Sequence, residues 1–439
     1  MSTQSLLSSN GFVRYARPAR SANGVPFLLI LVAVSIVLPE EFSFYIFELR
    51  FTLTRLIFIL LAPLVVIILI QKVRAGRYRF IITDLLVLLS GFWMVYAPGN
   101  ILGLAAALNH GGPIALEFCM GYFATRMLLS ERGQALKFIS LFCGLVAVAG
   151  LAAALDTFTD SFVVHKLASV FTGYRTYDVG IYRLGLLRAR GPFEHPIILG
   201  FLSSLALIIS FYVKVRWRKF SIAGCSVGTL VAVSTAPVQG FLIGLSLLLY
   251  NRILSNIPFK WFALIAAFGA MLGGVWLSGH SILHFVFQYL TFDPESGYYR
   301  IWTWDGVSDA VALSPMFGLG FGPFPDDLDI NHSIDALWLN LALNFGVPGA
   351  ILVGLSLVSG AALPISSARF NLSAIEKRLG VALGVVLFVV LFVSFTVDFW
   401  GSSWVAVAVL LGVKVHLAEM ARIGSRTQLS ARSFRKQAL

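Results

Sequence analysis

The chain has 439 residues, of which 58% are hydrophobic and only 12% are charged. About a quarter of the residues in an ordinary soluble domain are charged, so this composition excludes a soluble globular enzyme and indicates a membrane protein. The net charge of +12 would suggest a nucleic-acid partner in a soluble protein. In a membrane protein, orientation and contact with anionic lipid headgroups explain it, so we expect membrane lipids and no nucleic acid as partners.

Apolar runs of helix length, separated by short polar loops, predict an all-α polytopic membrane protein with about twelve transmembrane helices. In chain order the predicted spans are 25–39, 54–71, 81–97, 112–129, 138–155, 196–213, 220–235, 238–251, 260–277, 338–363, 379–396 and 400–416. The first is interpreted as uncleaved, because no small-residue cleavage site follows it. The seventh and eighth form a hairpin broken near Pro237, since proline cannot continue a helix. The predicted organisation is a cytoplasmic segment (1–24), a transmembrane catalytic domain (25–416) and a basic cytoplasmic tail (417–439).

The loops alternate in charge along the chain. All but eight of the 33 Lys and Arg residues fall in one alternating set of loops, in which we count Arg126 and the tail from Lys414 onward. Cytoplasmic loops carry an excess of Lys and Arg, so both termini are predicted to be cytoplasmic. The eight cations on the outer side are Arg50, Arg55, Lys166, Arg175, Arg183, Arg188, Arg190 and Arg300.

Two predicted outer loops, at about 156–195 and 278–335, are too long to be simple connections, and we expect them to carry short helices and function. The first holds five of the outer cations and ends in a Gly-Pro turn before Pro196, an early helical position. Arg190 is therefore held near the membrane surface, where its guanidinium suits a lipid-linked diphosphate. The alternatives are pairing with Glu194 or Asp178, or binding of ordinary lipid phosphates.

The second outer loop has one cation, Arg300, which opens an amphipathic stretch with Trp304, Val307 and Val311 at helical spacing. This pattern predicts a helix lying along the membrane surface. Arg300 either forms an ion pair with a neighbouring Asp or faces an anionic substrate. Alternate glycines follow at Gly318, Gly320 and Gly322, a pattern that permits tight turns and close approach to a ligand.

Asn331, His332 and Ser333 precede the tenth predicted span. His332 is the best histidine candidate for a general base, because imidazole titrates near neutral pH. The alternative is a polar cap on the following helix, with Asn331 or Ser333 as the capping residue. The acidic run 326–329 is either a site for a hard divalent cation or a solvated loop, and we predict no metal centre.

These outer-loop motifs together resemble those of the O-antigen ligase and O-antigen polymerase superfamily of bacterial membrane glycosyltransferases. The resemblance is carried by RARGPFEHP (188–196), RIWTW (300–304), GLGFGPF (318–324) and NHS (331–333). FEHP is most similar to the exopolysaccharide-polymerase branch. The resemblance implies a bacterial inner-membrane enzyme with its site on the periplasmic side. It implies an undecaprenyl-diphosphate-linked glycan donor and no cofactor.

The acceptor separates the two activities within this superfamily. Polymerases transfer the glycan to another lipid-linked unit, whereas ligases transfer it to a lipid A core sugar. The resemblance assigns the catalytic roles to Arg190, Arg300 and His332. The expected substrate-binding residues are Arg188, Arg183, Arg175, His195, Asn331 and Gly320. Other polysaccharide assembly proteins are further expected partners.

Two functions from other classes remain as alternatives. A lipid-linked oligosaccharide flippase would also bind a diphosphate, but it needs charges through a central cavity rather than on one face. A structural membrane subunit would not need two motif-bearing outer loops.

Overall fold

The computed structural model describes residues 24–46, 49–131, 133–174, 180–279, 281, 287, 294–321, 334–364 and 372–437. Within these ranges it does not describe the side chains of 46, 49, 294–296 and 422–437. The described chain is mostly helical, as the composition and periodicity predict. Two short antiparallel hairpins interrupt the helices.

The elements run as follows in chain order. The first part comprises α1 (Phe27–Ile36), β1 (Ser43–Ile46), β2 (Leu49–Thr52), α2 (Leu53–Arg74), α3 (Ile82–Leu102), α4 (Leu104–Ala106), a π-helical turn (Ala107–Gly111), α5 (Gly112–Leu128), α6 (Gln134–Thr159), α7 (Val163–Thr172), β3 (Tyr182–Arg183) and β4 (Leu186–Leu187). The second part comprises α8 (Pro196–Tyr212), α9 (Arg218–Val231), α10 (Thr235–Ile253), α11 (Lys260–Leu277), α12 (Pro294–Leu313), α13 (Leu337–Ala362), α14 (Ala374–Val393) and α15 (Gly401–Gln437).

A helix occupies each of the twelve segments predicted to be a span. Among the described helices, six are long and apolar enough to cross a membrane: α2, α3, α6, α11, α13 and α15, the last over Gly401–Ala421. Several others are apolar but shorter, such as α1 with 10 residues and α8 with 17. The structure therefore supports a helical membrane protein, and the number of twelve spans stays a prediction.

Helix α13 is broken one third of the way along its length. Gly346 has φ of +75°, a left-handed conformation that favours glycine, and Pro348 follows it. The break frees the carbonyl of Leu343, which accepts a hydrogen bond from the Leu319 backbone N–H at 2.6 Å. The Val347 N–H donates to the Pro315 carbonyl at 2.8 Å. These two bonds fasten the glycine-rich turn after α12 to the kink.

The glycines of that turn serve packing between backbones. A Cβ atom built on Gly318 would lie 2.4 Å from the Leu343 carbonyl oxygen, and one on Gly346 would lie 2.1 Å from that of Met316. Gly320, with φ of +74°, approaches the side chain of Leu102. The tight turns are confirmed at Gly318 and Gly320. Gly318 approaches the backbone of α13 and Gly320 approaches α3, and the close approach to a ligand stays a prediction.

Arg126 corrects one expectation about the charged residues. It was counted among the loop cations, but it lies in the last turn of α5 and is fully buried. Its guanidinium forms an ion pair with buried Asp84 and donates to the hydroxyls of Tyr78 and Tyr122 at 3.0 and 3.3 Å. Glu419 of α15 lies 3.6 Å away. Because α3 and α15 pack against α5, Arg126 belongs to a buried polar network and is not a cytoplasmic loop cation.

Lys414 is a second correction of the same kind. It was counted with the basic tail, but it is 3% exposed and lies within the helical core. Its ammonium group donates to the carbonyls of Leu363 and Gly380 at 3.1 and 2.9 Å. These bonds satisfy carbonyls at the end of α13 and within α14, so Lys414 belongs to the helical body and not to the basic tail.

Candidate functional site

A cavity of about 450 Å³ lies at one end of the helix bundle. The N-terminal ends of α2, α5, α13 and α15 surround it, together with the segment after α1 and the residue pair Glu194 and Phe321. In the predicted topology all these helix ends face the outside. The polar side chains of the lining are Ser35, Glu40, Arg50, Thr52, Thr54, Arg55, Glu117, Glu194, Asn340, Asn344, Asp398 and Ser402.

Both arginines of the lining are held by carboxylates. Arg50, on β2, forms an ion pair with Glu40 at 3.1 Å and also donates to the Ser43 hydroxyl. Arg55, in the first turn of α2, pairs with Glu117 of α5 at 2.7 Å. The β1–β2 hairpin folds the chain back so that both arginines meet at this wall, where Arg55 donates to the Arg50 carbonyl at 3.0 Å. Two of the eight outer cations are thus part of the cavity.

Glu194 comes from the motif before α8 and reaches the start of α15. Its Oε1 accepts hydrogen bonds from the backbone N–H and the hydroxyl of Ser402, at 3.0 and 3.1 Å. A carboxylate in this position stabilises a helix N-terminus. Its Oε2 is buried and has no hydrogen-bond partner among the described residues. Burial raises the pKa of Glu194 from the ordinary 4.5 to about 7, so it changes protonation state near neutral pH.

Asp398 lies across the cavity lining, in the segment between α14 and α15. Its two oxygens accept from the Asn340 carboxamide at 2.5 Å and from the Phe399 N–H at 2.9 Å. The Asn340 carboxamide oxygen in turn accepts from the Asn344 side chain. Burial raises the pKa of Asp398 to about 7 as well. A chain of two carboxamides and a carboxyl group therefore crosses the broken end of α13.

Aromatic side chains complete the lining. Trp404 and Phe399 are buried, and the Trp404 ring stacks on Phe118 with centroids 4.7 Å apart. Trp400 is 38% exposed and lies beside His195, with ring centroids 5.8 Å apart. The lining thus combines the accessible aromatic rings of Trp400 and Phe42 with carboxyl, carboxamide and hydroxyl groups.

The structure places His195 at the start of α8, with Pro196 as the first helical residue, as predicted. The His195 Nδ1 accepts from the Ile197 N–H at 3.2 Å, which makes the imidazole the N-cap of the helix. Burial, followed by the nearby Arg188, lowers the pKa of His195 to about 4. It is therefore neutral at pH 7, and it contacts Trp400 at the edge of the cavity.

Arg190 lies behind this wall rather than in the lining. Its side chain is buried, and the guanidinium carbon lies 4.1 Å from the ring centroid of Phe162. The backbone N–H groups of Arg190 and Gly191 donate to Asp156 Oδ2, at 3.2 and 2.8 Å. These contacts hold the Gly-Pro turn rigidly four residues before Glu194.

The remaining predicted cations of the outer loops are spread over separate elements. Arg188 is half-buried and donates to the Ala232 carbonyl at 3.1 Å, and burial lowers its pKa to about 10. Arg183 lies on β3 and Arg300 on α12, and both are half-buried. Arg175, Asn331, His332 and the acidic run 326–329 lie outside the described residues.

The amphipathic prediction for α12 is confirmed in part. Val307 and Val311 are buried, and they form a small apolar cluster with Leu339 and Leu343 of α13. The apolar face of α12 therefore covers the broken end of α13, the same segment that carries Asn340 into the cavity.

Sequence reasoning did not assign a site role to Arg50, Arg55, Asn340, Asp398 and Trp400. One signal could have found the charged members. Ionisable residues at the ends of apolar helices are costly and are retained for specific contacts. Arg55 and Asp398 both lie beside predicted span ends.

Comparison of the chain with models of known protein families and with curated proteins finds no match. Within the described ranges, no group of three His, Cys, Asp or Glu side chains is arranged to hold a metal ion. The function is therefore argued from the chemistry of the cavity and the outer-loop motifs.

Proposed function

We propose that the protein is a membrane glycosyltransferase of the O-antigen ligase and polymerase type. It transfers or polymerises glycan from an undecaprenyl-diphosphate-linked donor at the outer face of the bacterial cytoplasmic membrane. The observation that carries the proposal is the cavity, which lies at the bundle end predicted to face outward. Carboxyl and carboxamide groups together with an accessible tryptophan suit the hydroxyl groups and apolar faces of sugars.

The reaction is a displacement at the anomeric carbon of the donor sugar, with inversion of configuration. An acceptor hydroxyl forms the new glycosidic bond while the bond to the diphosphate oxygen breaks, and the diphosphate leaves with the electron pair. His332 takes the proton from the acceptor hydroxyl. Arg190 and Arg300 neutralise the charge that develops on the diphosphate. Glu194 lines the cavity four residues after Arg190, so the same turn serves the diphosphate and the sugar.

A membrane-embedded fold is required because the donor carries a long lipid. The lipid part lies against the apolar helices, and the diphosphate and glycan lie at the outer end of the bundle. The FEHP motif favours the polymerase activity, in which the acceptor is another lipid-linked unit. The alternative is a ligase whose acceptor is a lipid A core sugar.

The proposal is tested by deleting the gene and complementing the strain with Arg190→Ala, Arg300→Ala or His332→Ala. We expect each variant to lose long-chain glycan, because removing one charge-stabilising group costs about 100- to 1000-fold in rate. Lys166→Ala is the matched control, since Lys166 is an exposed cation of the same outer loop. Normal glycan ladders from all three variants at normal protein level contradict the assignment.

A purified-protein assay separates the enzyme from a flippase. The protein is reconstituted with lipid-linked glycan extracted from the deletion strain. New glycosidic bonds are expected from a transferase. Movement of the lipid across the bilayer without new bonds would indicate a transporter instead.

A further inference from the structure

We propose that the cavity is a saccharide subsite of this transferase and that it excludes the donor diphosphate. It binds an uncharged saccharide through hydroxyl contacts to Asn340 and Asp398, with the Trp400 ring under one sugar face. This inference rests on the proposed function and adds the class of ligand and the residues that recognise it.

The charges of the lining argue against a phosphate ligand. The two arginines, Arg50 and Arg55, are each paired with a carboxylate of the protein. Glu194 and Asp398 add two further carboxyl groups. The formal charge of the lining is therefore zero when these two are protonated and −2 when they are ionised. A diphosphate would meet no net positive charge when the two carboxyl groups are protonated, and it would be repelled when they are ionised. A neutral sugar carries no such penalty.

The hydrogen-bonding groups match hydroxyl chemistry. A sugar hydroxyl both donates and accepts, so it can donate to a carboxyl oxygen and accept from a carboxamide. Glu194 uses Oε1 to hold Ser402 and keeps a buried Oε2 with no hydrogen-bond partner among the described residues. Glu194 thus holds the start of α15 at the cavity wall with one oxygen, and its other oxygen is enclosed by the protein.

The size of the cavity fits a short saccharide. About 450 Å³ lies in the lower half of the range of roughly 300–1,000 Å³ that is typical of small-molecule sites. Trp400, at 38% exposure, gives this space an accessible ring. An aromatic ring offers a flat apolar surface of the kind that covers the C–H face of a sugar.

The test compares two lipids as ligands of the purified protein in nanodiscs. One is the lipid-linked glycan extracted from the deletion strain, and the other is undecaprenyl diphosphate without sugar. The variants are Asp398→Asn and Trp400→Ala, with Trp400→Phe as the conservative rescue. Trp276→Ala is the matched control, because Trp276 is an exposed tryptophan on α11 outside the cavity lining.

We expect Asp398→Asn and Trp400→Ala to weaken binding of the glycosylated lipid about tenfold, with Trp400→Phe close to wild type. Binding of undecaprenyl diphosphate should change less than about twofold in each variant. Equal weakening of both lipids, or no weakening of either, overturns the subsite while leaving the transferase intact. Binding of neither lipid by the wild-type protein overturns the proposed function and the subsite with it.

Discussion

Each end of the helix bundle holds an ion pair. Arg55 with Glu117 lines the cavity, and the opposite end, with Arg126 and Asp84, is called the closed end. At the closed end, Arg126 and Asp84 are both fully buried, and tyrosine hydroxyls and a backbone carbonyl take further guanidinium hydrogen bonds. At the cavity end, the side chains of Arg55 and Glu117 are 23% and 5% exposed and form part of the wall. An arginine–carboxylate pair therefore lies in the interior at one end and in the cavity wall at the other.

The two ends differ in the polar groups that they hold in addition to the ion pair. The closed end joins α3, α5 and α15 with its hydrogen bonds. The cavity end adds the carboxyl groups of Glu194 and Asp398 to its paired arginines. We therefore expect substitutions at the closed end to change stability and those at the cavity end to change glycan transfer.

The largest expected effect is from Arg126→Met at the closed end. This change leaves Asp84 as a buried charge without its ion-pair partner, which typically costs about 3–5 kcal/mol of folding free energy. We expect little folded protein in the membrane, measured by immunoblot and by size-exclusion chromatography of the detergent extract. Arg77→Ala is the control, because Arg77 is exposed. Partial recovery in the double variant Arg126→Met with Asp84→Asn would identify the isolated charge as the cause.

A smaller effect on stability is expected from Arg55→Gln at the cavity end. Water in the cavity can hydrate Glu117, so the loss of the ion pair should cost about 1–3 kcal/mol. The distorted wall should lower glycan transfer by about tenfold, a change that corresponds to roughly 1.4 kcal/mol of transition-state binding. Thermal melting and the reconstituted transfer assay measure the two effects separately. A melting shift as large as that of Arg126→Met would remove the distinction between the two ends.

The smallest expected effect concerns pH and Glu194. Because its pKa rises from 4.5 to about 7 on folding, ionising Glu194 costs more in the folded state than in the unfolded state. Its contribution to stability is therefore favourable at low pH and is lost as the pH rises from about 4.5 to 7. Between pH 5 and 8, the melting temperature of the wild type should fall by about 2–4 °C more than that of Glu194→Gln. Parallel melting curves of the two proteins would contradict the burial of this carboxyl group.

The helices of this fold could be predicted from the sequence because each has its own run of apolar residues. Pro196 and Pro237 also mark helix starts by their local chemistry, and α8 and α10 begin at or just before them. The β1–β2 hairpin was not predicted, since its four-residue strands are too short to give a period-2 signal. That hairpin is what carries Arg50 into the cavity.

The cavity itself could not be predicted, because its groups come from distant parts of the chain. Asn340 and Asp398 are 58 residues apart, and Arg55 and Glu117 are 62 apart. A pattern of local spacing cannot predict contacts between residues so far apart in the chain. Taken singly, each of these residues is an ordinary polar residue near a helix end. The RARGPFEHP motif (188–196) contributes Glu194 to the cavity, whereas the sequence pattern predicted Arg190 of the same motif as the site residue.

Helix α15 connects the two ends and fixes the distance between them. Ser402 binds Glu194 at the cavity, and Glu419 lies beside Arg126 at the closed end. At 1.5 Å per residue, these two positions are about 26 Å apart along the helix axis, against a hydrocarbon core of about 30 Å. The two charged sites are therefore separated by nearly one hydrocarbon thickness, as expected of a helix long enough to cross a membrane.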